Sequence, residues 1–405
     1  MSENDVATLH RLRHLESGTP LFPSLSSLTL LVWPISVTEA DLLFPPSLLS
    51  ISLRGDCPPS LALRLSKLAG LRQEQMCLHL LVKRCPSLQE FNDSRSNTRP
   101  AFGRLVDPIF NLTELRTLIL HSFPPINAVK ALKKASRMRH LKVLLGVPTE
   151  VPDETISQVD LGSFLSLEAL TISGSVAGLS TIFGSMRNQL DKVGILLQGS
   201  ECHEMTRCLK LLAHNSGERL TKFILGARQK DPAATPISLL PMLRPLTGAR
   251  NLKELSIVIP SYVTNHDVDV FAKAWPNLTH IFIEPPQPKP GSTIRPFADF
   301  QALIRLATQC PHLKHIRLGI DLSKPPSLED VPDVKHGLDG LFVCQFDSRG
   351  EELLRRIAVN IHRLFPGIYT HAPEDVSEHT NWDRVLTIVS ELQSEINTPG
   401  TDEEP

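Results

Sequence analysis

No apolar run in this 405-residue chain approaches the roughly 18 residues that a bilayer-crossing helix needs, so no membrane partner is expected. Neither sign of charge is in excess: Lys+Arg is 42, Asp+Glu is 43, and the net charge is -1 at pH 7. A general surface for nucleic acid or anionic lipid needs a clear basic excess, so neither is expected to bind. The opening residues MSENDVATLHRLRHLESG have no apolar core segment and are not read as a secretory signal. Seven cysteines (Cys57, Cys77, Cys85, Cys202, Cys208, Cys310 and Cys344) include no C-x-x-C pair, and their number is odd. That usage predicts reduced thiols in a cytoplasmic or nuclear protein, several of them small core fillers. Without a signal, the sequons at Asn92, Asn111 and Asn277 carry no weight.

Catalytic and metal-binding patterns are also missing. There is no G-x-S-x-G elbow and no G-x-x-x-x-G-K-[ST] phosphate loop. ECHEMTRC offers Cys202, His203, Glu204 and Cys208, but lacks the H-E-x-x-H or paired C-x-x-C spacing that puts donors on one face. NHDVDVF holds His266, Asp267 and Asp269; there Thr264 or Asn265 is expected to cap a helix whose first turn gains from acidic side chains. The expectation is a protein that is not an enzyme and uses no metal or cofactor.

What is present is a folded composition, 41% hydrophobic and 21% charged, carrying an internal repeat. The phrase L-x-x-(apolar)-x-(apolar) starts at Leu25, Leu48, Leu88, Leu115, Leu167, Leu190, Leu220, Leu252, Leu278, Leu313 and Leu338. A weaker copy at Leu141 ends in Gly146. From Leu88 the starts are separated by 27, 26, 26, 23, 30, 32, 26, 35 and 25 residues. A solenoid keeps such a period because each unit performs the same packing task; a globular core has no reason to.

Between the phrases lie helical stripes. FQALIRLATQC aligns Phe300, Leu303, Leu306, Ala307 and Cys310, and LLRRIAVNIHRLF aligns Leu354, Ile357, Ala358, Ile361 and Phe365. NAVKALKKASRM does the same with Val129, Leu132 and Ala135. Helix alternating with short strand predicts a parallel sheet with helices outside it. Pro86, Pro276 and Pro311 each follow a helix, where proline stops helical geometry and can precede a strand. Cys85 and Cys310, just before two of them, are expected to close helix ends against the sheet.

The grammar of helix, proline, then L-x-x-L-x-L is that of a leucine-rich repeat. The fold class predicted is α/β, an irregular leucine-rich-repeat solenoid (horseshoe) with a parallel inner sheet and outer helices. The ninth places, Ser96, Phe123, Ser175, Arg228, Pro260, Pro286 and Asp321, do not form the usual Asn/Cys ladder, so curvature is expected to vary. The expected organisation is an N-terminal cap over 1–24, about twelve repeats over 25–369, a capping helix region over 370–397 and a disordered acidic tail over 398–405. EPPQPKPGSTIRP (284–296) and, to a lesser degree, KDPAATPISLLP are expected to project from the array.

Alternation along a strand places fourth and sixth positions in the core and third and fifth positions on the concave face. There, third places Glu254, His280 and His315 and fifth places Ser256, Phe282, Arg317 and Phe342 form adjacent columns, with Val258 and Glu284 just beyond. A phenylalanine on each side of an arginine has the composition of an interaction hot spot. The predicted partner-binding surface is Glu254, His280, Phe282, Glu284, His315, Arg317 and Phe342. Nearer the N-terminus the third places Ser27, Ser50, Thr117 and Ala169 are small.

The segments GTPLFPSLSSLTLLVWP, LLFPPSLLSISLRGD, CPSLQEF, LLAHNSGERLTKFIL, FAKAWPNLTHIFIEPP and ATQCPHLKHIRLG together resemble the repeat region of fungal F-box/leucine-rich-repeat proteins of mushroom-forming basidiomycetes. The resemblance implies a receptor whose repeats hold a protein substrate while an F-box of about forty residues docks a cullin-RING ubiquitin ligase adaptor. Only about twenty residues precede PLFPSL here, and no leucine-proline-glutamate opening stands elsewhere, so the resemblance covers the recognition half. The competing expectation is a stand-alone repeat scaffold or inhibitor with no ligase link.

Overall fold

All twelve leucine phrases become strands, each beginning two residues after its leucine. A computed structural model of the chain describes residues 21–30, 37–53, 68–93, 107–120, 134–135, 137–149, 164, 166–197, 205–227, 237–259, 261–285, 298–343, 350–369 and 381–397. The chain forms two compact units, Met1–Gln198 and Gly199–Pro405. The first holds β1 (Ser27–Leu30), β2 (Ser50–Leu53), β3 (Glu90–Asp93), β4 (Thr117–Leu120), β5 (Val143–Thr149), β6 (Ala169–Gly174) and β7 (Lys192–Leu197). Each pairs in parallel with the next. The second holds β8 (Lys222–Ala227), β9 (Ile237–Ser238), β10 (Glu254–Val258), β11 (Ser261–Tyr262), β12 (His280–Ile283), β13 (Ala298–Asp299), β14 (His315–Leu318), β15 (Ile320–Asp321) and β16 (Gly340–Val343). There β8, β10, β12, β14 and β16 are successive parallel neighbours, while β9 pairs with β11 and β13 with β15.

One hydrogen-bond motif recurs at every step within each unit. The carbonyl at the second place of a phrase accepts from the second- and third-place N–H groups of the next phrase. In the first unit this runs from Ser26 through Leu49, Gln89, Arg116, Lys142 and Glu168 to Asp191 and Lys192, at 2.7–3.1 Å. In the second it runs from Thr221 through Lys253, Thr279 and Lys314 to Asp339 and Gly340. A carbonyl oxygen has two lone pairs, so one acceptor satisfies two donors and holds neighbouring phrases in phase.

The core follows the predicted alternation. Leu118 and Leu120, Phe223 and Leu225, Leu255 and Ile257, Ile281 and Ile283, and Ile316 and Leu318 are all buried. Two places depart from the template. The sixth place after Leu88 is Asp93, a buried carboxyl in the row otherwise occupied by Leu53 and Leu120. At Gly146 the register between β5 and β6 shifts, so that Val147, not Gly146, stands opposite Ile172. The weaker phrase at Leu141 is therefore a strand with an irregularity at its glycine, where such breaks are expected.

The helices are α1 (Val37–Leu43), α2 (Leu68–Arg84), α3 (Val176–Ser185), α4 (Met205–Ser216), α5 (Leu239–Leu243), α6 (Asn265–Ala274), α7 (Phe300–Gln309), α8 (Glu351–Leu364) and α9 (Asn381–Asn397). The predicted stripes of α7 and α8 are buried throughout. Thr264 caps α6 in a reciprocal box with Asp267: the Asp267 N–H donates to the Thr264 hydroxyl, and the Thr264 N–H donates to the Asp267 carboxylate. The ninth places Ser175 and Asp321 each accept a local backbone N–H, from Gly178 and Ser323. Turns at these two positions are thus fixed one at a time rather than by a ladder.

Helix α2 ends before Cys85-Pro86, α6 before Trp275-Pro276 and α7 before Cys310-Pro311, as predicted. Helix α8 ends the same way before Phe365-Pro366, and Ile368 then takes the place of the phrase leucine. Tyr369 N–H donates to the Asp339 carbonyl at 2.9 Å, so the backbone ladder continues one step beyond the twelve leucine phrases. Helix α9 packs on α8 through buried Trp382, Val385, Leu386 and Val389, with Leu392 half-buried. Gln393 donates to the carbonyls of Pro366 and Ile368 at 2.9 and 3.0 Å, covering backbone at the end of the array.

Two expectations are corrected. The PISLLP end of KDPAATPISLLP does not project: Ile237–Ser238 pairs with β11, and Leu239, Met242 and Leu243 of α5 are buried. Apolar residues at helical spacing there outweigh the flanking prolines. Ala169, expected to face out, is buried; it lies between Val143 and Lys192 and is too short to reach past them. The segment 286–297, Val129 and Leu132, Cys202, His203 and Glu204, residues 1–20 of the N-terminal cap, residues 370–380 and the tail 398–405 lie outside the described residues.

Candidate binding surface

The second unit presents the five parallel strands β8, β10, β12, β14 and β16 with one face buried and the other open. Pairing puts Lys222, Glu254, His280, His315 and Gly340 in one row across the open face. Ile224, Ser256, Phe282, Arg317 and Phe342 form the next row. The sequence predicted both rows from Glu254 onward; it did not include Lys222, Ile224 or Gly340.

Arg317 lies between two rings. Its guanidinium carbon is 4.6 Å from the centroid of Phe282 and 4.6 Å from that of Phe342. Both phenylalanines are half-buried and Arg317 is exposed. Each such contact is worth about 0.5–1 kcal/mol at an exposed site. The larger consequence is order, because a side chain held on both sides loses the rotamer freedom of a free arginine.

In the neighbouring row His280 and His315 stack, with ring centroids 4.7 Å apart and planes at 28°. Gly340 makes room for this stack. A Cβ there would stand 2.7 Å from His315 Nδ1. His280 Nδ1 is 2.9 Å from the Thr279 hydroxyl. Burial of the His280 ring holds its pKa below the ordinary histidine value, and positive charge on His315 and Lys222 acts in the same direction, while Glu254 opposes them. At the end of the row Lys222 Nζ pairs with Glu254 Oε2 at 2.5 Å.

Six of the seven predicted residues thus meet in two adjoining rows. Glu284 lies at their edge and is half-buried. Its N–H donates to Ile257 O at 2.9 Å and its carbonyl accepts from Ser261 at 3.1 Å, so its backbone joins the sheet to β11.

Among the described residues no group of three or more His, Cys, Asp or Glu side chains is arranged to hold a metal ion. Cys85 and Cys310 are buried, and burial pushes each thiol up to about 12. Cys85 Sγ lies 3.2 Å from the Pro45 carbonyl. Among the described residues no helix is long and apolar enough to cross a membrane. No protein-family model and no curated protein matches the chain.

Proposed function

We propose that the chain is a protein-binding leucine-rich-repeat module, the substrate-holding part of an F-box-type ubiquitin ligase receptor, acting in the cytoplasm or nucleus without catalysis, metal or cofactor. The carrying observation is Arg317 clasped between Phe282 and Phe342 on the open face of a parallel sheet. A planar cation flanked by aromatic rings joins apolar area to directional donors, the mixture enriched at protein interfaces. The repeat reading is supported by twelve phrases that share one strand register and one backbone motif. The ligase link rests on the resemblance of the linking phrases to fungal F-box/leucine-rich-repeat proteins.

The test is affinity purification with the full chain as bait, comparing the wild type with a variant carrying Arg317→Glu and Phe282→Ala. Proteins recovered by the wild type and lost by the variant support the reading. An unchanged set of partners overturns the surface assignment. Probing the same eluates for the cullin-RING adaptor separates a ligase receptor, which retains it, from a stand-alone scaffold, which does not.

A further inference from the structure

Resting on that reading, we propose that the Arg317 clasp is a receptor for a single carboxylate, so that the partner docks through an aspartate or glutamate side chain on an otherwise apolar segment.

The rings of the two neighbouring strands flank the guanidinium, each with its centroid 4.6 Å from the guanidinium carbon, and its N–H groups are left to make directional contacts. Arg317 forms no hydrogen bond or ion pair among the described residues. Arg317 is exposed, so a carboxylate arriving from solvent can reach these N–H groups. Two parallel N–H groups match the two oxygens of a carboxylate, and that fork is the geometry in which arginine binds most selectively. A guanidinium already held between two rings gives up little further freedom when it is bound. The flanking Phe282 and Phe342 offer half-buried apolar surface to the residues on either side of the acid.

The charges nearby choose between a monoanion and a dianion. Lys222, the other permanent cation in these rows, is already paired with Glu254. Among the described residues Arg317 is therefore the one permanent cation of the two rows outside an ion pair. A single positive charge balances a carboxylate of charge -1 and leaves a phosphoryl group, which carries nearly twice the charge, only partly compensated.

The experiment selects a displayed library of random linear peptides on the full wild-type chain. A recovered peptide is then synthesised with Glu, Gln or phosphoserine at its acidic position. Binding is measured to the wild type and to Arg317→Gln, Arg317→Lys and Phe282→Leu, with thermal unfolding confirming that each variant is folded. The proposal expects recovered peptides to share one acid flanked by apolar residues. It expects Glu→Gln in the peptide, or Arg317→Gln in the protein, to weaken binding about tenfold, the worth of hydrogen bonds to a charged group. Combining the two changes should add little, and Arg317→Lys should recover only part of the loss.

A peptide that binds Arg317→Gln as well as wild type overturns the proposal. So does a phosphoserine form that binds about tenfold tighter than the Glu form, which would make the site a phosphate reader. A library that yields no peptide sensitive to Arg317 also overturns it. If partners in the purification above still depend on Arg317 and Phe282 in any of these cases, the protein-binding reading stands while the carboxylate assignment falls.

Discussion

His336 Nε2 lies 2.9 Å from the carbonyl oxygen of Cys310, the residue that ends α7, while the His336 N–H donates to Leu364 O, at the end of α8, at 2.8 Å. Its ring meets Phe365 edge-on with centroids 5.7 Å apart. Lys335, at φ 48°, turns the chain just before it. A comparable link ends α6, where Cys310 Sγ lies 3.8 Å from Trp275 O, and the Trp275 indole in turn donates at 3.0 Å to Leu246 O, in the short 3-10 helix Arg244–Gly248 of the preceding repeat. The last carbonyls of a helix lack intrahelical partners, and here a side chain or backbone group of a neighbouring repeat supplies them.

His336→Leu keeps apolar volume but leaves the Cys310 carbonyl buried without that donor. The expected loss is about 1–3 kcal/mol of unfolding free energy. Chemical denaturation of the variant checks it; unchanged stability would mean the contact contributes nothing.

Neighbouring residues on one strand separate packing from display. Ile281 is 1% exposed and Phe282 is half-buried on the opposite face. Ile281→Ala, and likewise Leu318→Ala, should cost about 2–5 kcal/mol through lost transfer and a residual cavity. Phe282→Ala should cost clearly less, because its ring never leaves water fully. Denaturant midpoints for the three variants test the register directly, and equal losses at Ile281 and Phe282 would contradict it.

The strands were legible because their signal is local. All the phrases but those at Leu88 and Leu141 carry a leucine and two apolar teeth at fixed spacing, and even the weak copy at Leu141 forms a strand, since backbone pairing does not need an apolar residue at Gly146. The thirteenth step escaped notice because Ile368 replaces leucine, although Pro366 in the familiar place was a usable sign. The columns containing Phe282, Arg317 and Phe342 followed from strand period alone. The His336 link did not, since it joins residues 26 apart through a turn that no period encodes. The buried Asp93 shows the same limit: apolar periodicity cannot announce a carboxyl in a core row.

His280 gives a pH dependence of known sign. Its folded pKa lies below the unfolded value of about 6.5, first through burial and then through His315 and Lys222, with Glu254 opposing. The unfolded chain therefore binds the proton more readily. This contribution to stability is intact above about 6.5 and declines as pH falls from there toward the folded pKa. His280→Asn should flatten that part of the stability profile between pH 7.5 and 5, measured by thermal unfolding. An NMR titration placing His280 above the free histidine value would refute the sign.

Gly340→Ala tests the stack itself. The new methyl would meet His315 Nδ1, the end of a side chain that can rotate away, so the fold should survive with a small stability change. The His280–His315 stack should not. With the His315 ring displaced, its share of the depression at His280 is relieved, and the His280 pKa should move up toward the ordinary value. An unmoved His280 titration would show that burial alone sets it.

Cys85 and Cys310 carry the last prediction. Burial raises both thiols from 9.0 to about 12, so at pH 8 neither should be present as the reactive thiolate. Iodoacetamide at that pH should modify these two positions only after denaturant unfolds the chain, as read by peptide mass spectrometry. The same shift has a thermodynamic counterpart. Because the folded pKa is the higher one, the stabilising contribution is complete below 9.0 and is lost as pH rises toward about 12, where the unfolded chain ionises first. Stability measured from pH 8 to 10.5 should therefore fall more steeply in the wild type than in a variant with Cys85→Ala and Cys310→Ala. Rapid alkylation of the folded chain at either position would show that the helix end it closes opens readily to solvent.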